Sequence, residues 1–147
     1  MNTSSFVQTR SGFVDAAPHE VFELLRDPAM HPLIDGSGTV RASRGSGEKL
    51  SLGGEFGMQM RLGVPYRINN TVVEFKQDTL IAWRHFSGHR WRYELEPTDG
   101  GTLVSETWDA SRLRHKWMLR VLGFTRTTGP NMERTLQRLA AHFDEAQ

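Results

Sequence analysis

Three side chains of this sequence have the chemical types that acid–base chemistry requires: His85, Tyr93 and Glu106. His85 shares the strand phase of Trp83, so a strand that turns Trp83 inward also turns His85 inward. An imidazole in such a place can hydrogen-bond a carbonyl group or accept a proton. The alternative is a surface histidine at the end of a hairpin.

Glu106 lies in phase with Val104 and Trp108. If those two residues point inward, the carboxylate is buried and needs a cationic neighbour, such as Arg84 or Arg92. A buried carboxylate of this kind can orient a ligand hydroxyl or act as a general acid or base. The opposite phase puts Glu106 in water, and the sequence leaves both phases open.

Composition excludes several other kinds of site. The 147-residue chain has no cysteine, which rules out disulfides, thiolate metal ligands and a cysteine nucleophile. His85 and His89 are four residues apart, but across a hairpin and with no acidic residue near them in sequence. We therefore predict neither a metal site nor a cofactor.

Charge argues against nucleic acid as a partner. The 18 lysines and arginines are balanced by 17 aspartates and glutamates, so no strong overall field attracts a polyanion. In the stretch 90–93, strand alternation puts the aromatic rings on one face and the arginines on the other, which does not suit a base-stacking surface. We expect no nucleic-acid partner.

A set of large apolar side chains is the candidate lining of a pocket. Trp91 and Tyr93 share one face of their strand, and methionines adapt to irregular ligands. The alternative is that these side chains fill an ordinary core. The set comprises Phe56, Met58, Met60, Trp83, Trp91, Tyr93, Met132 and Leu136, with His85 as its polar member.

A sheet and a few helices must position these side chains. We predict an opening strand over Phe6–Val14, a short helix from Pro18, and a second short helix over Ala29–Ile34. Hairpin turns then separate six further strands. These are Thr39–Arg44, Phe56–Leu62, Tyr66–Phe75, Leu80–Phe86, Arg90–Glu96 and Leu103–Asp109.

Near the end of the chain, the spacing of apolar residues changes from that of a strand to that of a helix. After Gly129, with Pro130 at the first helical position, apolar residues recur at helical spacing and predict a helix of about four turns. One long amphipathic helix is a natural cover for the concave face of a sheet. The expected fold is α+β, a curved antiparallel seven-stranded sheet wrapped around the C-terminal helix, in a single domain over residues 1–147.

This order of elements resembles the START/SRPBCC superfamily, the helix-grip fold of birch-pollen allergens, lipid-transfer domains and polyketide cyclases. The local likeness is to the bacterial polyketide cyclase/dehydrase and lipid-transport branch. It rests on Asp15–Phe22 with Asp27-Pro28, and on Val72–Phe75, Leu80–Arg84, Trp91–Pro97 and Asp99–Thr102. The resemblance implies a cavity between sheet and helix, and it does not choose a chemistry.

Three functions are compatible with this reading. The first is binding or carrying a hydrophobic small molecule, such as a lipid, polyketide or aromatic metabolite. The second is a polyketide cyclase or aromatase that moves protons through His85, Tyr93 or Glu106, so enzymatic activity stays open. The third is a membrane-associated lipid-transfer or interaction module.

The third function depends on the stretch Ser111–Gly129, which mixes five basic residues with apolar bulk and has no acidic residue. It could contact a membrane, cover the pocket mouth, mediate self-association or simply connect two elements. The sequence shows no signal peptide, and no run approaches the roughly 18 apolar residues of a membrane span. We expect a cytoplasmic protein.

Overall fold

The computed structural model describes residues 5–36, 40–44, 49–62, 64–85 and 88–145, with side chains described except at 40–44, 58–68 and 145. Its strands form one antiparallel sheet in the order first, seventh, sixth, fifth, fourth, third, second, as predicted for an α+β fold. They are β1 (Val7–Val14), β2 (Val40–Arg44), β3 (Glu55–Leu62), β4 (Val64–Lys76), β5 (Leu80–His85), β6 (Arg90–Thr98) and β7 (Gly101–Asp109).

All seven predicted strands are present, and tight turns join the later ones. Between β4 and β5, Asp78 has a φ of 62°, a left-handed conformation that aspartate tolerates better than most residues. Between β6 and β7, Gly100 takes a φ of 84° without a steric cost. The expected strand ends at Thr39 and Phe86, and the turn residue Ser87, lie outside the described residues.

Two short helices follow β1. Helix α1 (Pro18–Leu25) starts with proline, whose missing N–H has no partner to lose there. The second predicted helix is divided into a 3-10 turn, Pro28–Met30, and α2 (His31–Ile34). Pro32 has no N–H to donate to the carbonyl of Pro28, so the two turns do not merge into one α-helix.

The C-terminal helix begins earlier than predicted. A short helix, α3 (Trp117–Val121), precedes α4 (Phe124–Glu145), which has 22 residues and about six turns. Gly123 has a φ of 85° and makes the sharp turn between them. The expected start at Pro130 is therefore wrong. Pro130 lies inside α4 at an exposed position, where it removes one backbone hydrogen bond of the helix.

Helix α4 packs on the inner face of β1 and β7. Leu136 is buried against Gly12, where a Cβ would lie 3.3 Å from that of Leu136. The end of α2 also contacts this helix, since the N–H of Gly36 donates a hydrogen bond to Oγ1 of Thr135 at 2.8 Å. Buried side chains from α1, α2, α4, β1 and β3–β7 form one apolar cluster.

Candidate ligand site between the sheet and the helices

The inner faces of β6 and β7 carry the candidate acid–base residues. Tyr93 and Leu95 of β6 are buried, as are Val104, Glu106 and Trp108 of β7. The structure decides the phase of Glu106, which points inward and keeps 2% of its surface exposed. This phase prevails because the other would bury three polar residues of β7 in place of a valine and a tryptophan.

Tyr93 and Glu106 form a buried pair. They face each other across β6 and β7 in the strand register. The Tyr93 hydroxyl donates a hydrogen bond to Oε1 of Glu106 at 2.9 Å. Pairing a carboxyl group with a neutral donor costs less desolvation than burying a full ion pair.

The arginines that the sequence offered as partners of Glu106 are not its partners. Arg92 lies on the other face of β6 and forms ion pairs with Glu74 at 3.2 Å and Glu94 at 2.7 Å. Arg84 is exposed. The expectation of a cationic neighbour is wrong because side chains alternate along a strand, and the phase that buries Trp83 turns Arg84 to solvent.

Burial controls the protonation of the Tyr93–Glu106 pair. It raises the pKa of Glu106 to about 8; the hydrogen bond from Tyr93 opposes this rise, and the negative charge of Asp35 adds to it. Burial also raises the pKa of Tyr93 well above its ordinary value, and the nearby Glu106 contributes. Near neutral pH the carboxyl group is therefore mostly protonated and the phenol remains a donor.

One atom of this pair has no hydrogen-bond partner among the residues that the structure describes. Oε2 of Glu106 is buried and forms no hydrogen bond within the described residues. A buried polar atom left unsatisfied costs about 1–3 kcal/mol, so such atoms are rare in native proteins and commonly mark a functional position. When Glu106 is protonated, this oxygen can carry a hydroxyl that lacks an acceptor.

Aromatic rings surround Trp83 beside the pair. The Trp83 ring lies 5.5 Å from the ring of Phe56 and 5.5 Å from that of Tyr93, centroid to centroid. The imidazole of His31 stacks on Trp83 at 4.9 Å with an interplanar angle of 22°. These contacts give the interior an aromatic wall next to the polar pair.

His31 is a site residue that sequence reasoning missed. It is buried, and its Nε2–H donates a hydrogen bond to the carbonyl of Leu25 at 2.8 Å. Burial lowers its pKa, so the imidazole is neutral at physiological pH. Asn70, buried on β4 opposite His85 in the register, was also missed. Neither residue stands in a motif that would have singled it out.

His85 lies beside His89, where β5 ends and β6 is about to begin. The two imidazole rings are 4.4 Å apart, and both side chains are half-buried. Burial lowers the pKa of each to about 4, and for His89 the charge of His85 adds to the effect. Both rings are therefore neutral near pH 7. The centre of the His89 ring also lies 6.2 Å from the ring centres of Trp91 and Trp108.

The expected pocket lining divides between two apolar clusters. Phe56, Trp83, Tyr93 and Leu136 belong to the larger one, whereas Met132 packs with Phe6 and Trp108 in a smaller one. Trp91 is half-buried and contacts both clusters. The side chains of Met58 and Met60 lie outside those that the structure describes.

In the described part of the chain, no group of three or more histidine, aspartate or glutamate side chains is arranged to hold a metal ion. Among the same residues, no helix has both the length and the apolar character to cross a bilayer.

This geometry agrees with the family to which the chain belongs. Residues 6–144 match the family described as polyketide cyclase / dehydrase and lipid transport. The chain is a member of that family, and the resemblance to the START/SRPBCC superfamily is confirmed.

Named relatives extend the comparison. A Mycobacterium tuberculosis protein described as uncharacterized protein Rv0088 is 36% identical over 141 residues. That alignment covers 92% of this chain and 63% of the mycobacterial protein, so the chain spans less than two thirds of its relative's length.

Two solved structures share the fold at low identity. Protein NE0264 from Nitrosomonas europaea superposes with a TM-score of 0.75 at 14% identity, covering 99% of this chain and 98% of that one. The polyketide_cyc-like protein Cgl2372 from Corynebacterium glutamicum superposes with a TM-score of 0.60 at 16% identity. That match covers 97% of this chain and 94% of the other.

Proposed function

We propose that this chain binds a hydrophobic, uncharged small molecule between its sheet and α4, with the free oxygen of Glu106 holding the ligand's polar atom. The observation that carries the proposal is the buried Oε2 of Glu106 without a partner. A lipid, polyketide or aromatic metabolite matches the surrounding aromatic wall. We also propose that the protein is cytoplasmic, as expected from its sequence.

The chemistry around Glu106 selects the kind of polar atom. A protonated carboxyl group donates a hydrogen bond, so it suits a ligand carbonyl or hydroxyl oxygen. A ligand carboxylate would bring a negative charge next to Glu106 and Asp35, and Arg92 does not offset it because it pairs with Glu74 and Glu94. Affinity would come mainly from apolar contact with the rings of Trp83 and Trp91, and the hydrogen bond would fix orientation.

The first experiment is native mass spectrometry of the protein purified without refolding, followed by denaturing extraction of whatever remains bound. A neutral apolar compound in stoichiometric amount would support the proposal. That compound would then be titrated while the melting temperature is followed, because a ligand that binds only the folded state stabilises it. Protein that is empty, and that no neutral lipid or aromatic ketone stabilises, would contradict it.

A pair of variants separates binding from folding. Tyr93→Phe with Glu106→Leu removes the unsatisfied oxygen together with the buried hydroxyl that would otherwise lose its acceptor, so the folded state should stay close to the parent in stability. Ligand affinity should nevertheless fall about 2- to 10-fold, the value of one hydrogen bond. The control is Glu96→Gln, which alters an exposed carboxylate elsewhere on β6 and should change neither property. Equal ligand affinity in this double variant and in the parent would show that Glu106 does not contact the ligand.

A second candidate function, proton transfer to a bound polyketide, has one observation in its favour. The Tyr93 oxygen and Oε1 of Glu106 lie 2.9 Å apart, and a carboxyl pKa of about 8 is well matched to acid–base work near neutrality. His85 lies beside His89 at the end of the sheet and is not needed for this pair. Turnover of a poly-β-ketone substrate that is lost in Glu106→Gln while binding is retained would establish catalysis.

A further inference from the structure

The connection between β7 and α4 carries an apolar surface that the fold does not cover. Helix α3 buries none of its residues. Trp117, Met118, Val121 and Leu122 are 60%, 47%, 73% and 67% exposed, and Phe124 follows at 38%. At 100° per residue the first four occupy one arc of about 140° on the α3 helix. They form a continuous apolar face.

The opposite side of α3 attaches the segment to the domain. Leu119 packs on the small cluster that contains Phe6 and Trp108. The guanidinium of Arg120 lies 4.9 Å from the centre of the Phe6 ring, and the Lys116 ammonium lies 5.6 Å from it. The apolar face is thus held in place, pointing away from the core, and is not a loosely attached loop.

Basic residues flank this face along the chain. Residues 111–129 include five arginines and lysines and no acidic residue. Arg112, Arg114 and Arg126 are exposed, and no hydrogen bond or ion pair joins their side chains to another described residue. The Arg126 guanidinium folds back to 3.9 Å from the position of a Cβ on Gly123, beside the end of the apolar face. The surface therefore combines an apolar centre with a cationic edge.

We propose that this surface, defined by Trp117, Met118, Val121, Leu122 and Phe124 with Arg112, Arg114 and Arg126, docks on an anionic lipid bilayer. Apolar side chains around a tryptophan insert at the boundary between head groups and acyl chains, while arginines contact lipid phosphates. The charge is complementary to anionic lipid, and a protein partner would need its own acidic surface to match it. This inference goes beyond ligand binding and does not depend on it.

The position of the surface connects it with the candidate site. Leu113, at the start of the segment, lies against the turn after β5, where its Cδ2 would be 2.8 Å from a Cβ on Gly88. That turn leads to His85 and His89, the half-buried end of the interior. A bilayer docked on α3 would lie next to this end of the sheet.

The test is flotation of the full chain with vesicles of phosphatidylcholine alone and with vesicles of equal parts phosphatidylcholine and phosphatidylglycerol. Binding should require the anionic lipid and weaken with added salt, because the Debye length falls to about 3 Å at 1 M. Each basic residue near an anionic surface strengthens binding about fivefold, so Arg114→Gln with Arg126→Gln should weaken partitioning about 25-fold. Val121→Ser with Leu122→Ser should also release the protein from the vesicles.

Matched controls come from other surfaces. Lys76→Gln with Arg84→Gln removes two exposed positive charges from strands β4 and β5 and should leave binding unchanged. Leu33→Ser with Leu52→Ser removes two leucines that are 61% and 66% exposed, a close match to the test pair. All the altered side chains are exposed, so thermal melts should show every variant folded.

Two results would overturn the proposal. One is no flotation of the parent with anionic vesicles at low salt. The other is a stable dimer, measured by light scattering during gel filtration, that Val121→Ser with Leu122→Ser dissociates while vesicle binding is absent. The apolar face would then be a contact between two copies of this chain.

Discussion

The hydroxyl of Tyr93 and the carboxyl of Glu106 meet across neighbouring strands at 2.9 Å, inside the fold and without a cation in the pair. Burial keeps this carboxyl group mostly protonated near neutral pH, because it raises the pKa of Glu106 to about 8 against the opposing effect of the Tyr93 hydrogen bond. Protonated Glu106 can donate a hydrogen bond through Oε2, which is buried and has no partner among the described residues.

The stability of the protein should fall as pH rises toward 8 because of Glu106. Its pKa is raised in the folded state from 4.5 to about 8, so the folded state binds more protons than the unfolded chain in that interval. The stabilising proton is fully present below pH 4.5 and is lost as pH passes through about 8. Urea unfolding between pH 6.5 and 9 should show a declining free energy of unfolding, by a few kcal/mol in order of magnitude.

Glu106→Gln should abolish that decline, because an amide does not titrate. The buried histidines, whose ordinary pKa is 6.5, still release protons from the unfolded chain in the lower part of this interval, but that contribution is the same in the parent and in Glu106→Gln and cancels in the comparison. If the free energy of unfolding changed equally with pH in the parent and in Glu106→Gln, the pKa of Glu106 would not be raised by folding. Glu96→Gln serves as the control for an exposed carboxylate.

Tyr93→Phe should move the midpoint of this decline to higher pH. The hydrogen bond from Tyr93 is the contact that opposes the rise of the Glu106 pKa, so its loss favours the protonated acid further. The free energy of unfolding at pH 6.5 should fall by about 0.5–1.5 kcal/mol, the net value of one hydrogen bond. The same urea series measures both quantities, and an unchanged midpoint would mean that the bond does not influence Glu106.

The neighbouring histidines His85 and His89 should make the protein less stable in acid. Burial lowers the pKa of His85 and His89 from 6.5 to about 4, so stability is present above pH 6.5 and is lost as pH falls through about 4. NMR titration of the imidazole protons should report these two values. In His85→Gln the pKa of His89 should rise, since the charge of His85 contributes to lowering it. An unchanged pKa of His89 in this variant would show that the charge of His85 does not influence His89.

Gly36→Ala should destabilise the contact between α2 and α4. A Cβ there would clash with the backbone carbonyl oxygen of Asn131 and would lie 2.6 Å from the backbone nitrogen of Thr135. Both are backbone atoms of α4, so neither can rotate away. Overpacking of this kind costs about 1–3 kcal/mol. Thr135→Ser keeps the hydroxyl that accepts the N–H of Gly36 and should be close to neutral. Thermal melts compare the two, and equal stability would indicate that α2 shifts to make room.

Local patterns were enough to predict most of the architecture. Two-residue alternation identified the strands, and turn residues such as Asp78 and Gly100 separated them, because both signals act over a few neighbouring residues. The start of α4 was missed for the converse reason. Proline inside a helix is locally unfavourable, and it is accepted here because Pro130 is exposed and Gly123 already begins a new helix after α3.

The sequence by itself determined the order of strands and helices, the lack of thiol chemistry, and the basic apolar stretch before α4. It also placed Tyr93 and Glu106 on strands that pair. Only the tertiary structure decided that Glu106 points inward, that Tyr93 and not an arginine is its partner, and that His31 stacks on Trp83. These relationships join residues far apart in sequence, so they depend on strand register and on competition for burial across the whole sheet.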